Sequence, residues 1–211
     1  MESFKRIAGF SSCKCLCYSL AFTAPLTFIE QAVMASWAPE LYDHYVTTLG
    51  KLYKKNPGLK RNFPSSIFTA ATYNFGPQTT CYKHTDFANL PFGWCSVTAL
   101  GSYDPTKGGH LILWDFHLVI EFPPGSTILI PSAIVAHSNT AVSTHETRYS
   151  FAQYTAGALF RWVANDHQKA AVYLKSLSEE ETREVKVKNK ARFQLGLSLF
   201  PTLKKAGHEV L

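Results

Sequence analysis

Between residues 67 and 155 the chain is cut into short extended runs by closely spaced turn signals, and this alternation limits the fold more than any other feature. The runs lie at 67–73, 94–100, 110–114, 117–122, 127–130 and 147–155, and Asp104-Pro105, Gly108-Gly109 and Pro123-Pro124-Gly125 break the chain between them. Many short strands punctuated by Gly and Pro read as a double-sheet jelly roll of the cupin-like kind. Residues 40–53 differ: Leu41, Tyr45, Thr48, Leu49 and Leu52 recur at helical spacing, and Asn56-Pro57-Gly58 stops them. From Asp166 onward the pattern is again helical and charged, with Ser178 placed to cap a helix that opens on Glu179-Glu180-Glu181. The expected class is α+β with a mainly β core: an N-terminal segment at 1–61 containing the first helix, a core at 62–165, and a basic helical extension at 166–211.

Embedded in the strand-like region are His84-Thr85-Asp86, then His137, then Arg148. On an extended segment, His84 and Asp86 point the same way and can grip one metal ion. His137 arrives from far along the chain, as a strand-rich barrel would deliver it. Two histidines and one carboxylate on one face of Fe(II), with positions left open for a co-substrate and O2, are what a non-haem iron oxygenase needs. Arg148 suits a carboxylate-bearing co-substrate, because its planar fork pairs bidentately with carboxylate. Taken singly, each piece has a bland reading. A His-x-Asp pair marks many polar loops, a lone histidine is more often a hydrogen-bonded structural residue, and an arginine on a strand is often solvated. The combination is far more specific than its parts.

The last run adds a choice. If 147–155 is extended, Arg148, Ser150, Ala152 and Tyr154 share one face, and Tyr149, Phe151 and Gln153 share the other. With the first face inward, the guanidinium needs an anion, and the dicarboxylate 2-oxoglutarate is one. With it outward, Arg148 is solvated and the aromatic residues fill the core. The upstream ligands favour the inward arrangement.

The stretch FPSSIFTAATYNFGPQTTCYKHTDFANLPFGWCSVTALGSYDPTKGGHLILWDFHLVIEFPPGSTILIPSAIVAHSNTAV, together with HETRYSFAQYTAGALFRWV, resembles the Tet/JBP-like family of 2-oxoglutarate- and Fe(II)-dependent oxygenases, in the form abundant in mushroom-forming fungi. The segment YLKSLSEEETREVKVKNKARFQLGLSLFPTL is similar to the helical tail of those proteins, whereas the residues before Asn62 carry none of the resemblance. The resemblance implies a double-stranded β-helix with His84, Asp86 and His137 on Fe(II), and with O2 and 2-oxoglutarate as co-substrates. It implies that Arg148 and Ser150 hold the co-substrate carboxylate, that Asn89 contacts the target base, and that Tyr154 stacks on it. The activity implied is oxidation of a methyl group on a DNA base, 5-methylcytosine to 5-hydroxymethylcytosine and beyond, with thymine or N6-methyladenine behind it. Such a base must be flipped out of the duplex, at a cost of a few kcal/mol.

Two departures put the identity of the base in doubt. Ala156 stands where animal and amoebal relatives carry a base-contacting histidine, and no arginine lies just upstream of His84, where Gln78, Thr79, Thr80 and Tyr82 occur. Asn89 also reads simply as a turn former before Leu90-Pro91-Phe92-Gly93. Two other functions remain open: an oxygenase of the same chemistry acting on RNA, protein or a small molecule, and an inactive, transposon-associated binding module. The intact ligand set argues against the latter.

Composition bounds the partners. A hydrophobic share of 46% with 14% aromatic residues argues for a chain with a real core. The net charge of +6 is uneven: eight basic against four acidic residues in 1–61, four against six in 62–166, and nine against five in 167–211. Lys51, Lys54, Lys55, Lys60 and Arg61 form one cluster, and Lys186, Lys188, Lys190 and Arg192 another. Both read as solvated helix faces or, beside a base-oxidising site, as contacts to DNA phosphates. Five cysteines make no disulfide framework in a chain of 211 residues. Cys13, Cys15 and Cys17 are too closely spaced for one tetrahedral zinc, and Cys81 and Cys95 read as reduced, packed thiols. This fits an intracellular compartment, and a DNA substrate makes it the nucleus. Lys5 and Arg6 before the apolar stretch 15–29 superficially resemble a signal peptide, but Pro25 and the lack of a small-x-small site weigh against one. No segment is apolar for long enough to span a membrane. Nothing demands an assembly, so a monomer is expected.

Overall fold

A computed structural model describes residues 30–201; the tight Cys13, Cys15, Cys17 group and the apolar stretch 15–29 lie outside them. The described residues form two compact units, one of residues 62–156 with Glu30, the other of 31–61 with the region from 157 onward.

The first unit is mostly strand. It contains β1 (Ala70–Asn74), β2 (Cys95–Ser102), β3 (Leu111–Leu113), β4 (Leu118–Ile120), β5 (Thr127–Ile130), β6 (His137–Asn139) and β7 (Thr147–Tyr154). All pairings between these strands are antiparallel, in a four-stranded sheet ordered β1-β7-β2-β5 and a three-stranded sheet ordered β4-β3-β6. Ala99, Leu111, Leu113, Phe122, Ile130 and Val135 form the core, with Val97, Ile120 and Ile128 packed against it. Both sheets contribute to this cluster, so it marks their facing sides. The six extended runs of the sequence correspond to β1–β5 and β7. The three-residue β6 shows no periodicity of its own, and its pairing with β3 is what makes it a strand.

Residues directly opposite in an antiparallel ladder share a face. Val97 pairs with Ala152, Ala99 with Ser150 and Gly101 with Arg148, so the face of β7 carrying Arg148, Ser150 and Ala152 turns toward the core. On the other sheet Leu113 pairs with His137, which turns His137 inward by the same argument. Gly101 is at φ +117, and a Cβ there would collide with the carbonyl of Thr147, so only glycine lets β2 lie this close to β7. The second face of β7 is not solvated either. Phe151 and Gln153 are buried together with Ser96 and Thr98. Thr98 donates to a carboxylate oxygen of buried Glu30 at 3.0 Å, which leaves Thr127 to donate to Thr98 at 2.8 Å.

In the second unit, α1 (Pro39–Lys55) buries Leu41, Tyr45, Leu49 and Leu52, and the side chain of Asn56 donates to the carbonyl of Leu52 at 2.8 Å to close its last turn. Helix α2 (Gly157–Ala164) starts earlier than the charged pattern from Asp166 indicates, because its sequence GALFRWVA is apolar and gives no alternation of charge. Phe160 of α2 meets Tyr45 edge-on at 4.9 Å and stacks on His44 at 5.4 Å. After α3 (Ala170–Ser176), α4 (Glu179–Ser198) opens with the capping box that Ser178 and Glu181 form.

Candidate metal centre

His84 and His137 are joined by backbone before their side chains meet. Each donates its N–H to the other's carbonyl, at 3.0 and 2.9 Å, a hydrogen-bonded antiparallel pair that sets both imidazoles on one face. Their ring centroids lie 4.3 Å apart, tilted by 49°. Asp86 follows on the same side, its carboxylate 3.8 Å from Nε2 of His84. One ligand atom from each of His84, Asp86 and His137 lies within 4.8 Å of the others. His137 is 8% exposed, whereas the side chains of His84 and Asp86 are 42% and 32% exposed, so His137 forms the floor and the other two form the rim.

The second ring nitrogen of each histidine is already committed. Nδ1 of His84 is 2.7 Å from the carbonyl of Tyr82, and Nδ1 of His137 is 2.9 Å from that of Val135. A carbonyl can only accept, so each Nδ1 carries a proton and Nε2 is the nitrogen left to bind a metal ion. Burial pushes the pKa of His137 down, which favours the neutral form that ligates metal. Asp86 is set by Ser132: the carbonyl of Ser132 accepts the Asp86 N–H at 2.8 Å, and the Ser132 hydroxyl accepts from the Asn89 side chain at 3.3 Å. Two imidazoles oriented by backbone carbonyls, with one carboxylate, fit a divalent iron.

Arg148 is 3% exposed, and among the described residues no carboxylate pairs with it. Its Nη1 donates to the carbonyl of Thr79 at 3.2 Å, while its Nε–H is buried without a partner. Burial pulls its pKa below the ordinary arginine value, and Tyr103, whose hydroxyl donates to the carbonyl of Phe122, counters this from beside the guanidinium. Cys81 senses both ends of the site: burial raises its thiol pKa, the Arg148 cation lowers it and the Asp86 carboxylate raises it. A buried cation with an unmet N–H suits a carboxylate ligand and is costly without an anion.

The remaining expected residues are distributed around these two ends. Ser150 is buried next to Arg148 on the inward face, and its hydroxyl accepts from Asn74 at 2.8 Å. Tyr154, on the same face, accepts from Thr72 at 3.4 Å. Asn89 is 9% exposed, bonded to Ser132, and its backbone pairs with Ala156. His110 bonds to Thr140, and His117 sits in the left-handed region at φ 53. Tyr103, Ser132, Asn74 and the carbonyls of Tyr82 and Val135 escape the sequence reading, because only strand register and loop packing bring them to the site.

Lys51, Lys54, Lys55, Val163, Asp166 and His167 line a cavity of about 420 Å³ in the second unit. Among the described residues Cys81 and Cys95 are free thiols, and no helix is long and apolar enough to cross a membrane.

No protein-family model matches the sequence, and no curated protein matches it. A solved structure described as NgTET1 in complex with 5mC DNA is similar over 50% of this chain and 41% of that one, with a TM-score of 0.39 and 15% identity. The matched region therefore spans less than half of that chain, and a likeness this remote does not assign the present chain to a family.

Proposed function

We propose that this protein is an Fe(II)- and 2-oxoglutarate-dependent dioxygenase that oxidises a methylated nucleobase in DNA. The observation that carries the oxygenase reading is the convergence of His84, Asp86 and His137, with both Nδ1 atoms held by backbone carbonyls. His84, Asp86 and His137 would hold the iron, and Arg148, with Ser150 beside it, would take the distal carboxylate of 2-oxoglutarate. Iron, O2 and 2-oxoglutarate together supply the oxidising power that puts a hydroxyl on an unactivated methyl group. The chain's own residues bind and orient: Ser132 fixes Asp86, the Tyr82 and Val135 carbonyls fix the imidazoles, and burial keeps water from Arg148.

The strand arrangement supports reading the first unit as a double-stranded β-helix, since β3, β4 and β6 fall in one sheet and β1, β2, β5 and β7 in the other. The bridge from His84 to His137 adds a further edge to the smaller sheet. The choice of a DNA base, 5-methylcytosine first, rests on the sequence resemblance; Asn89 and Tyr154 would contact that base, and a nuclear location would follow from it.

The test is mass spectrometry of nucleosides after methylated DNA is incubated with protein, Fe(II), ascorbate and 2-oxoglutarate. The expected result is oxidised base together with succinate. Absence of iron-dependent succinate overturns the oxygenase reading, and succinate without oxidised base overturns the DNA reading alone.

A further inference from the structure

Arg148 is held through its backbone and again through its side chain. Its backbone N–H donates to the carbonyl of Pro77 at 2.7 Å, and its carbonyl accepts from the Thr79 N–H at 3.0 Å. Nη1 then returns to the carbonyl of Thr79 at 3.2 Å, so residues 77–79 fix both the strand and one arm of the guanidinium. The guanidinium has a second neighbour in Tyr103, two residues beyond Gly101, which is the partner of Arg148 across the β2–β7 ladder. The phenol oxygen is within hydrogen-bonding reach of the Arg148 side chain.

Tyr103 is itself fixed from two sides. It is 8% exposed, and its hydroxyl donates to the carbonyl of buried Phe122. Its ring lies directly against the α-carbon of Gly109: a Cβ there would come within 2.5 Å of Cε2 and 3.0 Å of Cδ2 and Cζ. Gly109 also sits at φ +72, so any side chain at this position meets both backbone strain and the phenol ring. A hydroxyl has a single proton to give. With that proton committed to Phe122, the oxygen offers Arg148 only lone pairs and has nothing to donate to a carboxylate.

We infer that Tyr103 is a positioning residue: anchored by Phe122 and Gly109, it accepts from the Arg148 guanidinium and holds that cation, with its unmet Nε–H, in place for the distal carboxylate of the co-substrate. The inference rests on the 2-oxoglutarate reading of Arg148 and deepens it by naming what orients the cation. A free arginine side chain samples many rotamers. Fixing it in advance removes an ordering cost that carboxylate binding would otherwise carry. Tyr103 therefore acts on the co-substrate through Arg148, and its effect is confined to ligands that carry the distal carboxylate.

The test uses the full chain loaded with Fe(II) under anaerobic conditions, so that binding is read without turnover. Calorimetry measures the affinity for 2-oxoglutarate and for 2-oxovalerate, which keeps the oxoacid end and carries a methyl group in place of the distal carboxylate. Tyr103→Phe keeps the ring against Gly109 and removes only the hydroxyl. It should weaken 2-oxoglutarate by about tenfold or more, the usual size for a lost hydrogen bond to a charged group, and leave 2-oxovalerate within about twofold of the wild-type value. Equal weakening of both ligands would make the role of Tyr103 structural only and overturn the inference. Wild-type affinity for 2-oxoglutarate in Tyr103→Phe would overturn it as well. If the wild type itself binds the two ligands alike, the co-substrate reading of Arg148 fails and the inference falls with it, an outcome distinct from the other two because it shows before any variant is made.

Discussion

His137 joins more of the site than any other residue: it pairs with His84 through the backbone, with Leu113 across the sheet, and with Val135 through Nδ1. His137→Ala should therefore abolish both iron binding and 2-oxoglutarate decarboxylation, measured by anaerobic titration with Fe(II) and by succinate release; undiminished turnover would remove it from the ligand set. Arg148 separates co-substrate from base. Losing one partner of a buried charge pair costs roughly 3–5 kcal/mol, so Arg148→Ala should raise the 2-oxoglutarate requirement by about a hundredfold or more. Asn89→Ala and Tyr154→Ala should leave that requirement near the wild-type value and lower oxidised base relative to succinate. Because Asn89 also donates to Ser132, whose carbonyl accepts the Asp86 N–H, its variant needs an iron titration in parallel. A loss of iron affinity there would give Asn89 a positioning role and not a base contact.

At the scale of the element, two strands depend on contacts that are not hydrophobic. Gly101 lets β2 pass the Thr147 carbonyl, directly opposite Arg148. Gly101→Ala should strain the backbone by roughly 1–3 kcal/mol and lower the melting temperature, and by disturbing β7 it should also weaken 2-oxoglutarate binding. On the outer face of the same sheet, burial raises the Glu30 carboxyl from 4.5 to about 7, against the hydrogen bonds from Ser96 and Thr98 that lower it. Between those values the folded chain holds a proton that the unfolded chain has released, so stability is full below the lower one and falls as pH rises through the upper one. The loss is on the order of 3 kcal/mol, because each tenfold difference in proton affinity between the folded and unfolded chain is worth about 1.4 kcal/mol. Glu30→Gln cannot ionise, so its melting temperature should exceed that of the wild type at about pH 8 and the difference should shrink toward about pH 5. A constant difference across that range would show that Glu30 does not titrate there.

Over the whole molecule, positive charge is concentrated outside the unit that contains His84, Asp86 and His137. Lys51, Lys54 and Lys55 converge on one cavity with His167, Arg61 lies over the Tyr53 ring at 4.2 Å, and the middle of α4 carries Lys186, Lys188, Lys190 and Arg192. If these groups meet phosphates, DNA affinity should fall steeply with salt, and each neutralised contact should reduce the log–log slope by about one. Unchanged slopes after Lys54→Gln and Lys188→Gln would return both clusters to the role of solvated helix faces.

The sequence by itself determined what local chemistry can encode: six of the seven strands, the buried face of α1, the Ser178 cap, and the types of donor atom at 84, 86, 137 and 148. Period, turn residues and ligand identity are properties of neighbours in the chain, so they can be read without coordinates. Tertiary structure alone decided which face of β7 turns inward, because alternation within one strand is symmetric until a second strand and a core are laid against it. It also decided that β6 is a strand, that both Nδ1 atoms meet carbonyls, and that Tyr103 lies beside Arg148 and Ser132 beside Asp86. Those facts depend on the register between segments far apart in the chain, and register is set by the packing of two sheets against each other, which no local stretch contains.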